Sequence, residues 1–276
     1  LTEDVIPLDT RPLFPLERQA LLDLLRSLDV DDWSKPTVCP GWDVHDVTAH
    51  IVNDYLRRIS GSRDEYGGAV FEDDDTLPTY LARINGEFVR AMRQCSPHVL
   101  IDLLAHLGPQ LDLVWTETDL AGPAHLDVSW VGPHTSPAWL DIAREYTEFW
   151  VHQQQIRDAV SRPGSDEVEM IRPVLVTFLH ALPFALRDVV RPQGTAVRVE
   201  LTGPAGGCWM AVSDGAGWDL VSESVRRSAA SVRMDQDTLW RLGSRGISID
   251  EARRRVDIDG DPELADAATA LLAVVA

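Results

Sequence analysis

Glu148 and His152 stand four positions apart in the stretch SPAWLDIAREYTEFWVHQQQIRDAV, and His50 ends the distant phrase CPGWDVHDVTAH. On a helix, a spacing of four puts two side chains on one face, where both can reach the same ion. A third donor from a distant helix completes a two-histidine, one-carboxylate set with an open coordination position. That composition suits catalytic zinc and some other divalent-metal sites. By spacing alone, however, the pair is equally an ordinary helix-face contact in which a buried histidine hydrogen-bonds a glutamate. Asp54, one turn after His50, reads as a fourth ligand, as an acceptor behind a ligand or, most simply, as a solvated helix carboxylate.

The remaining candidates have plainer readings. His45 lies just over a turn before His50 and points elsewhere, as a first-turn surface residue. His180, in VTFLHALPF, reads as a core histidine, and His106, His125 and His134 as residues on or near a long middle loop. Cys39 precedes a helix N-terminus that could lower its pKa, but a structural role is the simpler one. Trp33, Trp42 and Trp150 offer large buried areas for a core or a pocket wall. The GPAGG run before Cys208 lacks the strand–loop–helix setting of a phosphate loop and is set aside.

These residues belong to a chain of 276 residues with 45% hydrophobic content, enough for one large domain or two ordinary ones. Acidic side chains outnumber basic ones 44 to 25, for a formal charge of −19, with no Lys/Arg-rich block. Nucleic acid and anionic membranes are therefore not the expected partners. Three cysteines without a CxxC spacing fit a reducing compartment. No apolar run approaches the ~20 residues of a spanning helix, and no signal peptide is visible. The expectation is a soluble cytoplasmic protein, monomeric or homodimeric.

Helical periodicity dominates the first two-thirds. The pattern predicts helices over 15–28, from Val44 to near Ser60 with Asp43 as cap and Asp46 at its third position, over 77–94 and over 97–117. A loop then leads to Ser136-Pro137, a cap and first-turn proline for the helix that carries Glu148 and His152 as far as Val160. Val168–Val190 reads as one more helix, bent or split around Pro173 and Pro183. Beyond Pro192 the texture changes. TAVRVELTG alternates as a strand, CWMAVSDGAGWDLVS forms a hairpin, and SAASVRM and VDIDGD are further strands. Helices capped at Asp235 or Asp237 and at Asp261 complete this part.

With these residues placed, the chain resembles the mycothiol-dependent maleylpyruvate isomerase family, within the wider DinB-like group of metal-binding helical bundles. Trp33, the phrase Cys39-Pro40-Gly41-Trp42 and the helix Val44–His50 carry the likeness at one end. Glu148-Phe149-Trp150-Val151-His152, Ile156-Arg157 and Arg162-Pro163-Gly164 carry it in the middle, and Leu242-Gly243-Ser244-Arg245 and Val256–Asp261 near the end. The resemblance implies an α+β protein. A DinB-like four-helix bundle over 1–192 would be followed by a small α+β domain over 193–276. It implies a divalent metal, usually zinc, held by His50, Glu148 and His152, and mycothiol, the low-molecular-weight thiol of actinobacteria, as co-substrate.

The expected partners are thus a small thiol and a small electrophile. The expected activity is thiolate addition, giving either cis–trans isomerisation or S-transfer. Trp42 and Gln155 are expected at the cofactor site, and Arg245, in a Gly-Ser-Arg-Gly turn, as a catalytic or cofactor-binding anion clamp with Arg241 as its competitor. One departure stands out: the family commonly has Asp where this chain has Gln155, which keeps a hydrogen bond and loses a charge. A non-catalytic metal- or small-molecule-binding protein of the same fold is the rival reading.

Overall fold

The computed structural model describes residues 8–132, 135–222 and 227–271. Amphipathic helices fill its first part: α1 (Phe14–Arg26), α2 (Val44–Arg58), α3 (Leu77–Met92), α4 (Pro97–Glu117) and α5 (Ala138–Val160). Of these, α1, α4, α2 and α5 pack each on the next and close into a ring, while α3 lies outside against α2. Leu21 and Leu25 of α1, Ile51 of α2, Leu100 and Leu104 of α4 and Phe149 of α5 are fully buried inside the ring. Each such side chain is worth roughly 1.5–3 kcal/mol relative to exposure. This is the four-helix bundle that the family resemblance implies.

The start of α2 is fixed by short-range chemistry. Asp43 accepts a hydrogen bond from the Asp46 amide at 2.9 Å, and Asp46 accepts one from the Asp43 amide at 3.4 Å, a reciprocal capping box. Asp46 also receives both arms of Arg93, at 2.9 and 2.7 Å, so the cap is tied to the end of α3. The α5 start departs from expectation. Pro137 occupies its cap position without a side-chain bond, while Ser136 Oγ accepts from the Val128 amide at 3.0 Å. Ser136 therefore pins the preceding loop and does not cap the helix.

The next apolar stretch divides into α6 (Val168–Leu179) and α7 (Leu182–Ala185). The break falls at His180–Ala181, just before Pro183, whereas Pro173 stays inside α6. As the sixth residue of α6, Pro173 forfeits one internal bond, and burial of Val174, Leu175 and Phe178 holds the helix together. The segment Val168–Ala185 is long and apolar enough to cross a membrane, a length the sequence reading had not credited to any run. Half of it is buried inside the fold, as in a core helix.

Five strands follow: β1 (Ala196–Thr202), β2 (Gly207–Ser213), β3 (Trp218–Ser222), β4 (Ala230–Asp235) and β5 (Asp257–Gly260), in the order β3-β2-β1-β4-β5. β1 pairs antiparallel with β2 and parallel with β4, with Val199 opposite both Trp209 and Val232. The other pairs are antiparallel. Helices α8 (Gln236–Gly243) and α10 (Pro262–Thr269) pack on β1 and β4. Of the two aspartates proposed as the α8 cap, Asp235 does the capping and bonds the Thr238 amide at 2.7 Å. A further helix, α9 (Ile249–Arg255), was not expected from periodicity, because Ala252 is its one buried residue and it has no apolar stripe. Its signal is Ser248 as cap, acidic residues at the start and three arginines at the end, which suit the helix dipole.

The α+β part docks on the bundle through α8. Trp240 meets Trp150 of α5 edge-on at 5.5 Å, Arg241 pairs with Asp158 at 2.6 Å, and Gly243 lies against the Phe178 ring so closely that a Cβ there would clash.

Part of the α2–α5 contact is ionic and buried. Arg58, 4% exposed, pairs with Asp141 at 2.8 Å and reaches Glu145 at 3.6 Å, while its guanidinium lies 4.9 Å from the Trp115 ring centre. Arg144 bonds both carboxylates from the other side, at 2.8 and 2.6 Å. Taking one member from such a buried set strands the others. Arg58→Met is therefore expected to cost about 3–5 kcal/mol in urea unfolding; a loss below about 1 kcal/mol, the scale of an exposed pair, would contradict the burial argument.

A second buried carboxylate predicts a pH effect. Glu17 of α1 accepts from Gln153 Nε2 at 2.8 Å, and burial, only partly offset by Gln153 and nearby arginines, pushes its carboxyl up to about 7. Between the unfolded value near 4.5 and this folded value, the folded state binds the proton and the unfolded state does not. Stability from this group is full below the unfolded value and falls as pH rises through the window, by roughly 3 kcal/mol in total. Glu17→Gln should remove that slope: little change at pH 5 and a clear gain at pH 8, read from unfolding midpoints. Parallel curves for the two proteins would contradict it.

Candidate metal centre

His50 projects from the second turn of α2, on the face that continues through Asp54 to Arg58. Glu148 and His152 project from α5, on the face that begins with Asp141 and Glu145. The two faces meet, and the buried ionic set one to two turns below fixes how they meet. His152 Nε2 lies 3.0 Å from Glu148 Oε1, and His50 Nε2 lies 3.6 Å from the same oxygen. The imidazoles stand edge to face with centres 4.7 Å apart. One donor atom from each residue falls within 4.8 Å of the others, and among the described residues no other such group of three is found.

Donors at ~2.0–2.1 Å from a tetrahedral zinc are roughly 3.3 Å apart. The separations of 3.0 and 3.6 Å bracket that value, so this donor set fits a small divalent ion. Electrostatics agree. Burial pushes the Glu148 carboxyl up, but hydrogen bonds and charge from His152 and His50 outweigh it and hold it well below the usual range. Burial works against a proton on His152, but the neighbouring Cys39 sulfur and the hydrogen-bonded Glu148 carboxylate draw its pKa well above that of ordinary imidazole. Glu148 is thereby kept an anion, as a metal donor must be.

The surroundings answer the other expectations. Asp54 is not a solvated carboxylate: its side chain is 14% exposed, and Oδ2 lies 3.4 Å from His50 Nε2. It stands beside the triad, outside the compact donor set. Trp42 forms a wall, its ring 5.1 Å from that of His50. It is delivered by a tight turn in which the Trp42 amide bonds the Cys39 carbonyl at 3.1 Å and Gly41 adopts φ 77, the left-handed region that glycine enters freely. Gln155 Oε1 sits 2.7 Å from His152 Nδ1, behind the ligand, and Cys39 Sγ lies 3.1 Å from that same oxygen. Sequence reasoning gave Cys39 no place at the site, because its contact depends on the turn folding back across α5.

Other residues are not brought together with the triad. Arg245 is exposed, adopts a left-handed φ of 58, and pairs with no carboxylate among the described residues. The helix before it packs on α5 at Trp150 and Asp158, on the side turned away from His152. Arg241 is held by Asp158 and Asp237. His45 points away as expected but is half-buried, with Nε2 2.9 Å from the Cys95 carbonyl. His180 packs edge-on against Trp139, and burial pushes its pKa down to about 4. His106 is exposed on α4 and His125 is exposed in the following loop, whereas His134 lies outside the described residues.

The closed helical ring thus carries, on two of its helices, a convergent two-histidine, one-carboxylate set that could hold a metal ion. The family model of the mycothiol maleylpyruvate isomerase N-terminal domain matches residues 14–157, more than half of the chain and all three donors, and the chain belongs to that family. Two solved structures share the fold over both parts. The mycothiol-dependent maleylpyruvate isomerase matches with a TM-score of 0.53 at 15% identity, covering 90% of this chain and 91% of that one. A histidine-to-alanine mutant described under the same name matches with a TM-score of 0.54 at the same identity and coverage. No curated protein matches the chain in sequence.

Proposed function

We propose that this protein is a divalent-metal enzyme that activates a low-molecular-weight thiol, mycothiol, for attack on a small electrophile. The observation that carries the reading is the convergence of His50, Glu148 and His152 within 4.8 Å, inside the region matched by the family. Zinc is the ion that best suits two imidazoles and one carboxylate. When bound, it supplies stabilisation of the deprotonated sulfur, which is the nucleophile where the neutral thiol is not.

The chain's own residues set the conditions for that step. Three protein donors leave a coordination position free for the thiol sulfur. Trp42 walls the site beside His50. Asp54 offers a carboxylate oxygen next to His50, outside the donor set, where the thiol proton can be taken. Thiolate addition to a cis double bond, rotation about the resulting single bond and expulsion of the thiolate would release a trans isomer. The relatives of known structure are named for isomerisation of maleylpyruvate. Attack with loss of a leaving group from the electrophile would give S-transfer from the same donors.

The test joins metal content to turnover. Protein purified without added metal or a polyhistidine tag should carry near-stoichiometric zinc, and His50→Ala and Glu148→Ala should lose it. The wild type should consume mycothiol with an electrophile or isomerise maleylpyruvate. The variants should lose at least about 100-fold in kcat/KM, the scale of removing a group that stabilises developing charge. Metal-free wild type that takes up no ion on reconstitution would contradict the proposal, as would full turnover in the variants.

A further inference from the structure

His152 is gripped from behind by neutral groups. Gln155 follows it by three residues on α5, so both side chains lie on one face, and Oε1 reaches Nδ1 at 2.7 Å. The same oxygen accepts the Cys39 thiol proton at 3.1 Å. An amide oxygen can only accept, so both partners donate to it. Nδ1 carries a proton, and Nε2 is the nitrogen left facing Glu148. The grip joins the two ligand-bearing helices, since Cys39 belongs to the turn that leads into α2. Its counterpart is missing at His50, whose buried Nδ1 has no hydrogen-bond partner among the described residues.

We propose that Gln155 is a positioning residue of the metal centre, a neutral acceptor that holds His152 in the ligand tautomer and keeps the ion weakly neutralised. This rests on the metal reading above. A carboxylate in this place would make the imidazole a stronger donor and spread negative charge toward the ion. With Gln155, Glu148 is the one anion in the donor set, so a divalent ion keeps a net positive charge. That charge favours an incoming anionic sulfur over neutral water. The cost is looser retention of the ion. Cys39 serves the same purpose at one remove by fixing the amide.

The test measures Zn2+ affinity by competition with a chromophoric chelator, and the visible absorption of the Co2+-substituted protein, for the wild type, Gln155→Leu, Gln155→Glu and Cys39→Ser. Gln155→Leu should bind Zn2+ about 10–100-fold more weakly and change the Co2+ spectrum. Gln155→Glu should bind at least several-fold more tightly than the wild type, by about the lower end of the same range, with the Co2+ bands retained. Cys39→Ser, which keeps a donor, should stay near the wild type. Equal affinity in the wild type and Gln155→Leu, or weaker binding in Gln155→Glu, would overturn the inference while leaving the metal reading in place. A wild type that binds no metal would overturn both. Melting temperatures of the metal-free proteins check folding, and should the leucine variant not fold, the isosteric glutamate variant decides the matter.

Discussion

Sliding α2 by one residue along α5 would move His50 about 1.5 Å along the axis and about 100° around it. The three donors now within 4.8 Å would no longer face one point. Apolar packing alone fixes such a register weakly, because one leucine substitutes readily for another along a helix face. The buried set of Arg58, Asp141, Arg144 and Glu145 is less forgiving: sliding α2 would draw Arg58 away from two buried carboxylates of α5 and strand all of these charges in the core. It lies on the same stripe as the triad, so it sets the position of His50 against Glu148 and His152. A buried ion pair adds little net stability over an apolar contact, and its use here is to specify one arrangement.

The seam that carries the register also shapes the field at the site. Asp54 and Glu148 lie between the arginines below and the histidines above, so the stripe alternates in sign along its length. Gln155 and Cys39 close it at the far end without charge. A divalent ion held between the histidines, as proposed, would meet one anion directly and another one step away. That balance would suit the thiolate-binding ion of the proposed function, and three protein donors differ from the closed, fully ligated set of a structural zinc.

Much of this was legible in the residues. Asp43 with Asp46, one of Asp235 and Asp237, and Asp261 declared helix starts through local chemistry; helical periodicity declared the helices, and the family resemblance implied that they form a bundle. Glu148 and His152 were legible as a pair because they share a helix, and His50 joined them through the flanking phrases of the family. What was not legible depends on tertiary contact. Ser136 looks like a cap in sequence and is drawn away by Val128. The burial of Asp54 and the approach of Cys39 to Gln155 require two helices and a turn to be in place. The short α9 lacks an apolar stripe, so periodicity had nothing to register. Arg245 shows the reverse case: a charged residue in a suggestive turn that the fold leaves exposed.

X-ray absorption at the zinc edge, recorded on metal-loaded protein before and after addition of mycothiol, tests the central claim most directly. The account predicts a first shell of nitrogen and oxygen at about 2.0–2.1 Å with imidazole outer-shell features, and a single sulfur at about 2.3 Å once the thiol is added. A first shell that gains no sulfur would contradict it, as would a spectrum without imidazole features.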